Sequence, residues 1–94
     1  MSERTAASLA ILDKLLPALE QLPEGIHRER ILEEAQALRR AVAAFHMEAI
    51  RFRMYSVDRL LRIDGEEGPI RQMFDQLREA LEQAGFHTRS HTAP

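Results

Sequence analysis

Arg39, His46 and Arg53 stand seven residues apart. At about 100° per residue, a spacing of seven returns to the same side of a helix. Three basic side chains in one line could hold an anion, because guanidinium groups offer forked donors to a carboxylate or phosphate and a protonated imidazole adds another. The flanks of the line are apolar: Phe45, Ala49 and Phe52 on one side, Ala43, Ile50 and Val57 on the other. A guanidinium among such neighbours needs a carboxylate, since burying it unpaired is costly. Asp13 and Glu20, at the edge of the first apolar stretch, can supply one; Glu residues of a second chain are the other source. Two readings follow. Either the line is paired within or between chains, or Arg39, His46 and Arg53 line a cleft for an anionic small molecule between two paired long helices. His46 has no base or nucleophile beside it in this pattern, so no catalytic constellation is formed.

A second set has a different character. Glu48, Arg51, Tyr55, Asp58 and Arg62 recur at three- and four-residue steps and make one polar face. A tyrosine among alternating charges on a rigid backing is the kind of surface a protein partner can read. Arg51, Arg53, Arg59 and Arg62, with Phe52 and Tyr55 interleaved, have the composition of a nucleic-acid stripe. Arg53 points almost opposite to Arg51 and Arg62, and Glu48 and Asp58 interrupt the face. Duplex binding draws on many unopposed cations, so nucleic-acid regulation ranks last among the binding readings.

Metal and cofactor chemistry find little material. The chain has no cysteine, which removes thiolate metal sites, iron–sulfur clusters and cysteine nucleophiles. Glu24 and His27 fall at a turn, and His87 and His91 would need a helix beyond Gly85. No inward-facing glutamate set of the di-iron bundle type is present. No metal and no cofactor is expected. Arg40 and His46, with five residues between them, resemble the Arg-x(4–6)-His motif of HEPN-domain ribonucleases, which would imply RNA cleavage. The resemblance covers that pair alone: HEPN domains are larger four-helix units, and Arg40 stands about 120° from His46 on a continuous helix. The expectation is a protein that is not an enzyme.

These residues need elements to place them. The chain has 94 residues, enough for one domain, and a net charge of −2 that gives no bulk attraction to nucleic acid or anionic membrane. A chain of this size buries only about 60–65% of its unfolded surface, and without disulfides the common remedy is oligomerisation. No stretch approaches the roughly 18 apolar residues of a membrane span, and the first ten residues lack a signal-type apolar core. A soluble cytoplasmic protein is expected.

The pattern predicts an all-α fold with helices over about 3–22, 26–63 and 69–84, a single domain over 1–86 and a flexible tail over 87–94. In the first helix Leu9, Leu12, Leu16 and Leu19 form one stripe and Ile11, Leu15, Ala18 and Leu22 a second. Pro17 interrupts the hydrogen bonding but points away from the apolar arc, which predicts a kink on the solvent side. Pro23 and Gly25 mark a tight turn that makes the next helix antiparallel.

From Ile26 to Ile63 there is neither Gly nor Pro, and apolar residues recur at helical spacing throughout. One helix of that length spans on the order of 55 Å. It would act as a long central spine. In its second half Phe45, Ala49, Phe52, Ser56 and Leu60 line one side of an apolar arc, and Ala43, Met47, Ile50, Met54, Val57 and Leu61 the other. That arc is about 220° wide, more than one neighbouring helix can cover.

Gly65 and Pro69 end the spine and start a third helix, whose stripe is Ile70, Met73, Phe74, Leu77, Ala80, Leu81 and Ala84. Gly85 followed by Phe86 reads as its C-terminal cap. Acids of the third helix are expected to meet the arginines of the spine. The architecture is an antiparallel hairpin plus a third helix around a long central helix, a three-helix bundle in which two spines pair as a homodimer. The functional expectation is a small helical interaction, adaptor or regulatory protein working through Glu48, Arg51, Tyr55, Asp58 and Arg62 or the groove beside them.

Overall fold

The protein is all-helical, as expected, but the spine is two helices. The computed structural model describes residues 3–23, 27–64 and 68–86. A 3-10 turn, Glu3–Thr5, leads into α1, Ala6–Glu20; α2 is Arg28–Ala43, α3 is Met47–Ile63 and α4 is Pro69–Gln83. The long helix therefore ends at Ala43 and restarts at Met47, and the three-helix arrangement around a continuous spine is replaced by four helices among the described residues. The turns expected at 24–26 and 65–67, with the expected roles of Gly25 and Gly65, lie outside the described residues, as does the expected tail at 87–94.

The break is a hydrogen-bonded helix terminus with an unusual residue in its key position. Phe45 adopts φ 60°, the left-handed region normally given to glycine. The N–H of His46 donates to Ala41 O at 3.0 Å and that of Phe45 to Val42 O at 3.2 Å, the paired bonds of a Schellman motif. The His46 carbonyl then accepts from Ile50 N–H at 2.8 Å and opens α3. A non-glycine residue in this region costs about 1–2 kcal/mol.

The gain that offsets this cost lies in α3. Ile50, Met54, Val57 and Leu61 are completely buried. Burying one large aliphatic side chain is worth about 1.5–3 kcal/mol, so four of them outweigh one strained residue. In α2 the buried stripe is Ile31, Ala35, Leu38 and Val42. Continued without a break, that stripe would run through Phe45, Ala49, Phe52 and Ser56. The buried stripe of α3 is instead centred about 140° round the helix from that continuation. Of the two stripes in the wide arc, one is core and the other faces outward. The 220° arc is what two helix faces look like when read as one.

Packing is antiparallel wherever cross-helix pairs reveal direction. Asp13 of α1 meets Arg39 of α2, and Arg28 at the start of α2 donates to the Glu20 carbonyl at the end of α1, 2.7 Å away. Glu34 of α2 meets Arg53 of α3, while His27 and Asp64 approach to 3.9 Å where those two helices open. Arg4 donates to Ala84 O, joining the start of α1 to the end of α4. Helix α3 meets α4 along a thinner edge. Between them the helices enclose a core in which Phe74, Leu12, Leu15, Leu19, Ile31, Leu38 and the α3 stripe are shielded from solvent. The radius of gyration, 12.4 Å, matches the roughly 12 Å of a compact chain of this length. No helix of about 55 Å is present among the described residues.

Other sequence expectations hold locally. Pro17 lies inside α1 with its ring exposed, and the helix continues to Glu20. Pro69 occupies the first turn of α4. Gly85 has φ 97°; Gly85 N–H donates to Glu82 O and Phe86 N–H to Leu81 O, so α4 ends in a Schellman motif with Phe86 buried. No described helix is long and apolar enough to cross a membrane.

Candidate functional site

The break separates the first set of candidate residues. Arg39 lies on α2, Arg53 on α3, and His46 in the connection between them, exposed. Arg39 is engaged by Asp13, with Nε to Oδ1 at 2.8 Å and Nη2 to Oδ2 at 3.4 Å. This hydrogen bond holds the Asp13 carboxyl below its ordinary pKa and raises that of Arg39. Asp13 was one of the two α1 acids legible as a partner.

Arg53 has a partner that the sequence reading passed over. Its Nη1 stands 2.9 Å from both carboxylate oxygens of Glu34, and Arg30 approaches the same carboxylate at 3.5 Å. Glu34 is the one buried carboxylate among the described residues. On a continuous spine, residues 34 and 53 would be nearly 30 Å apart at about 1.5 Å per residue, so only the fold-back joins them. The signal available was weak: Glu34 sits beside the Ile31–Ala35–Leu38 stripe.

The second set stays together on α3. Glu48 and Arg51 approach at 3.5 Å, and Arg62 and Asp58 at 3.0 Å. Asp58 also accepts from Arg71 of α4 at 2.7 Å. Burial alone would raise the Asp58 carboxyl, but the Arg71 hydrogen bond and the charges of Arg62, Arg71 and Arg78 hold it below the usual range. The cross-helix pair thus runs opposite to the expected sense, with the acid on α3 and the arginine on α4. Arg71 and Arg78 also approach the Phe74 ring, at 5.5 and 5.2 Å from its centroid. Tyr55 remains half exposed in the middle of the face.

Beside this face runs an open groove of about 540 Å³. Its floor is the outward stripe of α3, Phe52, Ser56, Leu60 and Ile63, with Tyr55 and Arg59 along one edge and His27 and Arg30 of the α2 end along the other. Phe52 is 58% exposed and Ile63 55%, while the opposite side of the same helix is buried. Arg53 reaches over the Phe52 ring at 5.2 Å. Phe52, Ser56 and Leu60 belong to one side of the wide arc in the sequence, a side expected to be covered by neighbouring helices of the same or a second chain.

Arg40 is exposed in the last turn of α2, and His46 follows in the connection. Among the described residues no three His, Asp or Glu side chains gather as a metal ion would require. The arrangement offers contact chemistry: a firm apolar strip, a bordering row of paired charges, and cations at its rim. No protein-family model matches the chain, and neither a curated protein nor a solved structure shows significant similarity to it.

Proposed function

We propose that this protein is a small non-enzymatic helical interaction protein, an adaptor or regulator that works by presenting the outer side of α3 to another protein. One observation supports this reading above the others: large apolar side chains stay in solvent on a helix whose other side is fully packed. Phe52 and Ile63 are more than half exposed, whereas Ile50, Met54, Val57 and Leu61 have no exposure. A contiguous apolar strip rimmed by polar residues marks an interaction surface on a small domain. Glu48, Arg51, Tyr55, Asp58 and Arg62 form its border on the α4 side. Asp58 and Arg62 are already paired, so they orient a partner more than they attract one. This reading takes the protein as cytoplasmic, on composition alone.

The test is capture from a cell extract by immobilised protein. Tyr55→Ala, at an exposed position, and Arg51→Glu, at a half-buried one, are expected to leave thermal stability within about 1 kcal/mol of the parent and to abolish capture of a reproducible partner. Capture that survives both substitutions refutes the reading.

Binding of an anionic small molecule through Arg39, His46 and Arg53 ranks lower. A ligand there must first displace Asp13 from Arg39 and Glu34 from Arg53. Nucleic-acid binding ranks lower again, because Glu48 and Asp58 neutralise arginines on the same face.

A further inference from the structure

The turn between α2 and α3 runs against the local preference of the chain. Phe45 holds φ 60° there, a conformation that suits glycine. Helix α3 then opens without a side-chain cap, since His46 makes no hydrogen bond to its first-turn N–H groups. No Gly or Pro stands between residues 27 and 64, and three of the four residues before Phe45 are alanines, the best helix formers. If helix ran through the turn, Phe45 would return to negative φ. The N–H groups of Met47, Glu48 and Ala49 would then reach the carbonyls of Ala43, Ala44 and Phe45. Within one chain this pulls α3 off α2 and exposes Ile50, Met54, Val57 and Leu61. Between two chains it exposes nothing, because each copy supplies what the other has lost. A short connection under strain is the setting in which such an exchange is cheap.

We infer that two copies of this chain exchange α3 and α4 through the Ala44–His46 turn. In each bundle of the dimer α1 and α2 come from one copy and α3 and α4 from the other, and residues 28–63 of each copy run as one helix. No new complementary surface is needed. Glu34–Arg53 and Arg4–Ala84 re-form between copies, while Asp13–Arg39 stays within one. On one such helix the buried stripes of α2 and α3 lie about 140° apart, so the two long helices cross at the turn and the bundles sit on either side of the crossing. The contact that holds the turn shut is the Phe45 ring against Phe86, with Arg4 over both. In dilute solution the monomer prevails, because a short connection presents α3 to α2 at an effective concentration on the order of mM. The outer side of α3 stays in solvent in both forms, so the inference is independent of the interaction reading of that side.

The experiment is refolding of the full chain from urea at about 10 µM and at about 1 mM, the second reaching the effective concentration of the tether, followed by size-exclusion chromatography with light scattering. The expected result is a 10.8 kDa monomer from dilute refolding and an added species of twice that mass from concentrated refolding. Phe45→Ala and Phe45→Gly both lose the ring and differ only in backbone preference: alanine favours the helix, glycine the left-handed turn. Each chain of the dimer counts once, so the dimerisation constant of Phe45→Ala should exceed that of Phe45→Gly by at least about a hundredfold. Met47→Pro blocks the continuous helix but fits the closed turn, because His46 at φ −88°, ψ 93° already has the conformation required before proline and Met47 is the first residue of α3. It should stay monomeric at both concentrations with the circular dichroism of the parent. A parent and a Phe45→Ala variant that are both monomeric at about 1 mM overturn the inference, as does a dimer equally populated in the alanine and glycine variants.

Exchange is separated from side-by-side pairing by cross-linking in the cysteine-free background. His27 and Asp64 approach to 3.9 Å in the closed bundle, so His27→Cys and Asp64→Cys are placed in one chain and the dimer fraction is treated with a short bismaleimide. Exchange joins residue 27 of one copy to residue 64 of the other, and a denaturing gel then shows a covalent dimer. Links confined to single chains mean that two closed bundles lie side by side, and overturn the inference.

Discussion

The rings of Phe45 and Phe86 stand 6.0 Å apart between centroids, and the Arg4 guanidinium lies over both, at 5.9 and 5.1 Å. Phe45 is the left-handed residue that ends α2; Phe86 follows the left-handed Gly85 that ends α4. Two helix terminations thus meet at one end of the bundle, held by the 3-10 turn that precedes α1. The contact explains why a phenylalanine tolerates a glycine-like backbone: its ring recovers, through aromatic and cation–π contacts worth about 0.5–1.5 kcal/mol each, part of what the backbone loses.

Substitution at Phe45 separates those two contributions. Phe45→Gly removes the backbone strain and the ring contacts together, and is expected to leave stability within about 1 kcal/mol of the parent. Phe45→Ala keeps the strain and loses the ring, so it should destabilise by about 1–2 kcal/mol. Urea unfolding of the two variants checks the order. An alanine variant as stable as the glycine variant would mean that the left-handed turn is not kept in solution.

Gly85 is constrained twice. A Cβ there would lie 2.6 Å from Arg4 Nη2, and φ 97° is unfavourable for any L residue. Gly85→Ala should therefore destabilise by roughly 1–2 kcal/mol, mostly through the backbone, because the arginine end can move aside. Arg4→Ala alone should cost less, about 0.5–1 kcal/mol. In the double variant the steric part disappears, so the measured loss should fall short of the sum of the single losses. Strict additivity in thermal unfolding would show that Arg4 does not pack over Gly85.

Glu34 offers a test of the fold-back itself. Its carboxylate is buried and held by Arg53 across the α2–α3 interface, with Arg30 nearby. Glu34→Ala leaves a partly exposed guanidinium without its acceptor, and is expected to cost about 1–3 kcal/mol in chemical denaturation. If α2 and α3 were one straight helix, Glu34→Ala and Arg53→Ala would act independently. The double-mutant cycle is expected to give a coupling of at least about 0.5 kcal/mol instead.

Acid sensitivity follows from the two depressed carboxyls. Asp13 and Asp58 both titrate lower in the folded chain than in the unfolded one, whose aspartates lie near pH 3.9. The unfolded state then binds more protons in that range, so stability falls as pH falls. Their contribution is complete above the unfolded value and is lost as pH drops through the folded values, below about 3.9. Arg71→Ala removes the strongest support of the Asp58 carboxylate and should flatten the acid limb of a stability–pH curve measured between about pH 2 and 6. An unchanged slope would mean that Asp58 is held by Arg62 and Arg78 without Arg71.

Much of this molecule follows from local chemistry. Helical periodicity marked α1 and α4, and it placed Leu9, Leu12 and Leu19, and Phe74, Leu77 and Leu81, on buried faces. The Gly85–Phe86 cap and Pro69 at a helix start were legible because glycine tolerates positive φ and proline lacks an N–H that the first turn does not need. Asp13, like Glu20, was recognisable as a partner for the Arg39 line because it lies at the edge of the first helix's apolar arc, within reach of basic residues set among apolar ones.

The break at Ala44–His46 was not legible in that way. Its left-handed position is filled by Phe45, and nothing in the residue type announces the turn; tertiary burial of Ile50, Met54, Val57 and Leu61 supplies the free energy that a glycine would have made unnecessary. The assignment of the two α3 stripes depends on the same event. Both stripes have helical spacing and similar hydrophobicity, so periodicity alone cannot say which faces inward. Folding α3 back against α2 selects the Ile50 side, pairs Glu34 with Arg53, separates Arg53 from Arg39, and leaves Phe52 and Ile63 in solvent. The candidate surface is set by a change of about 140° in the side of the helix that faces the core, a long-range packing outcome that no short stretch of the chain encodes.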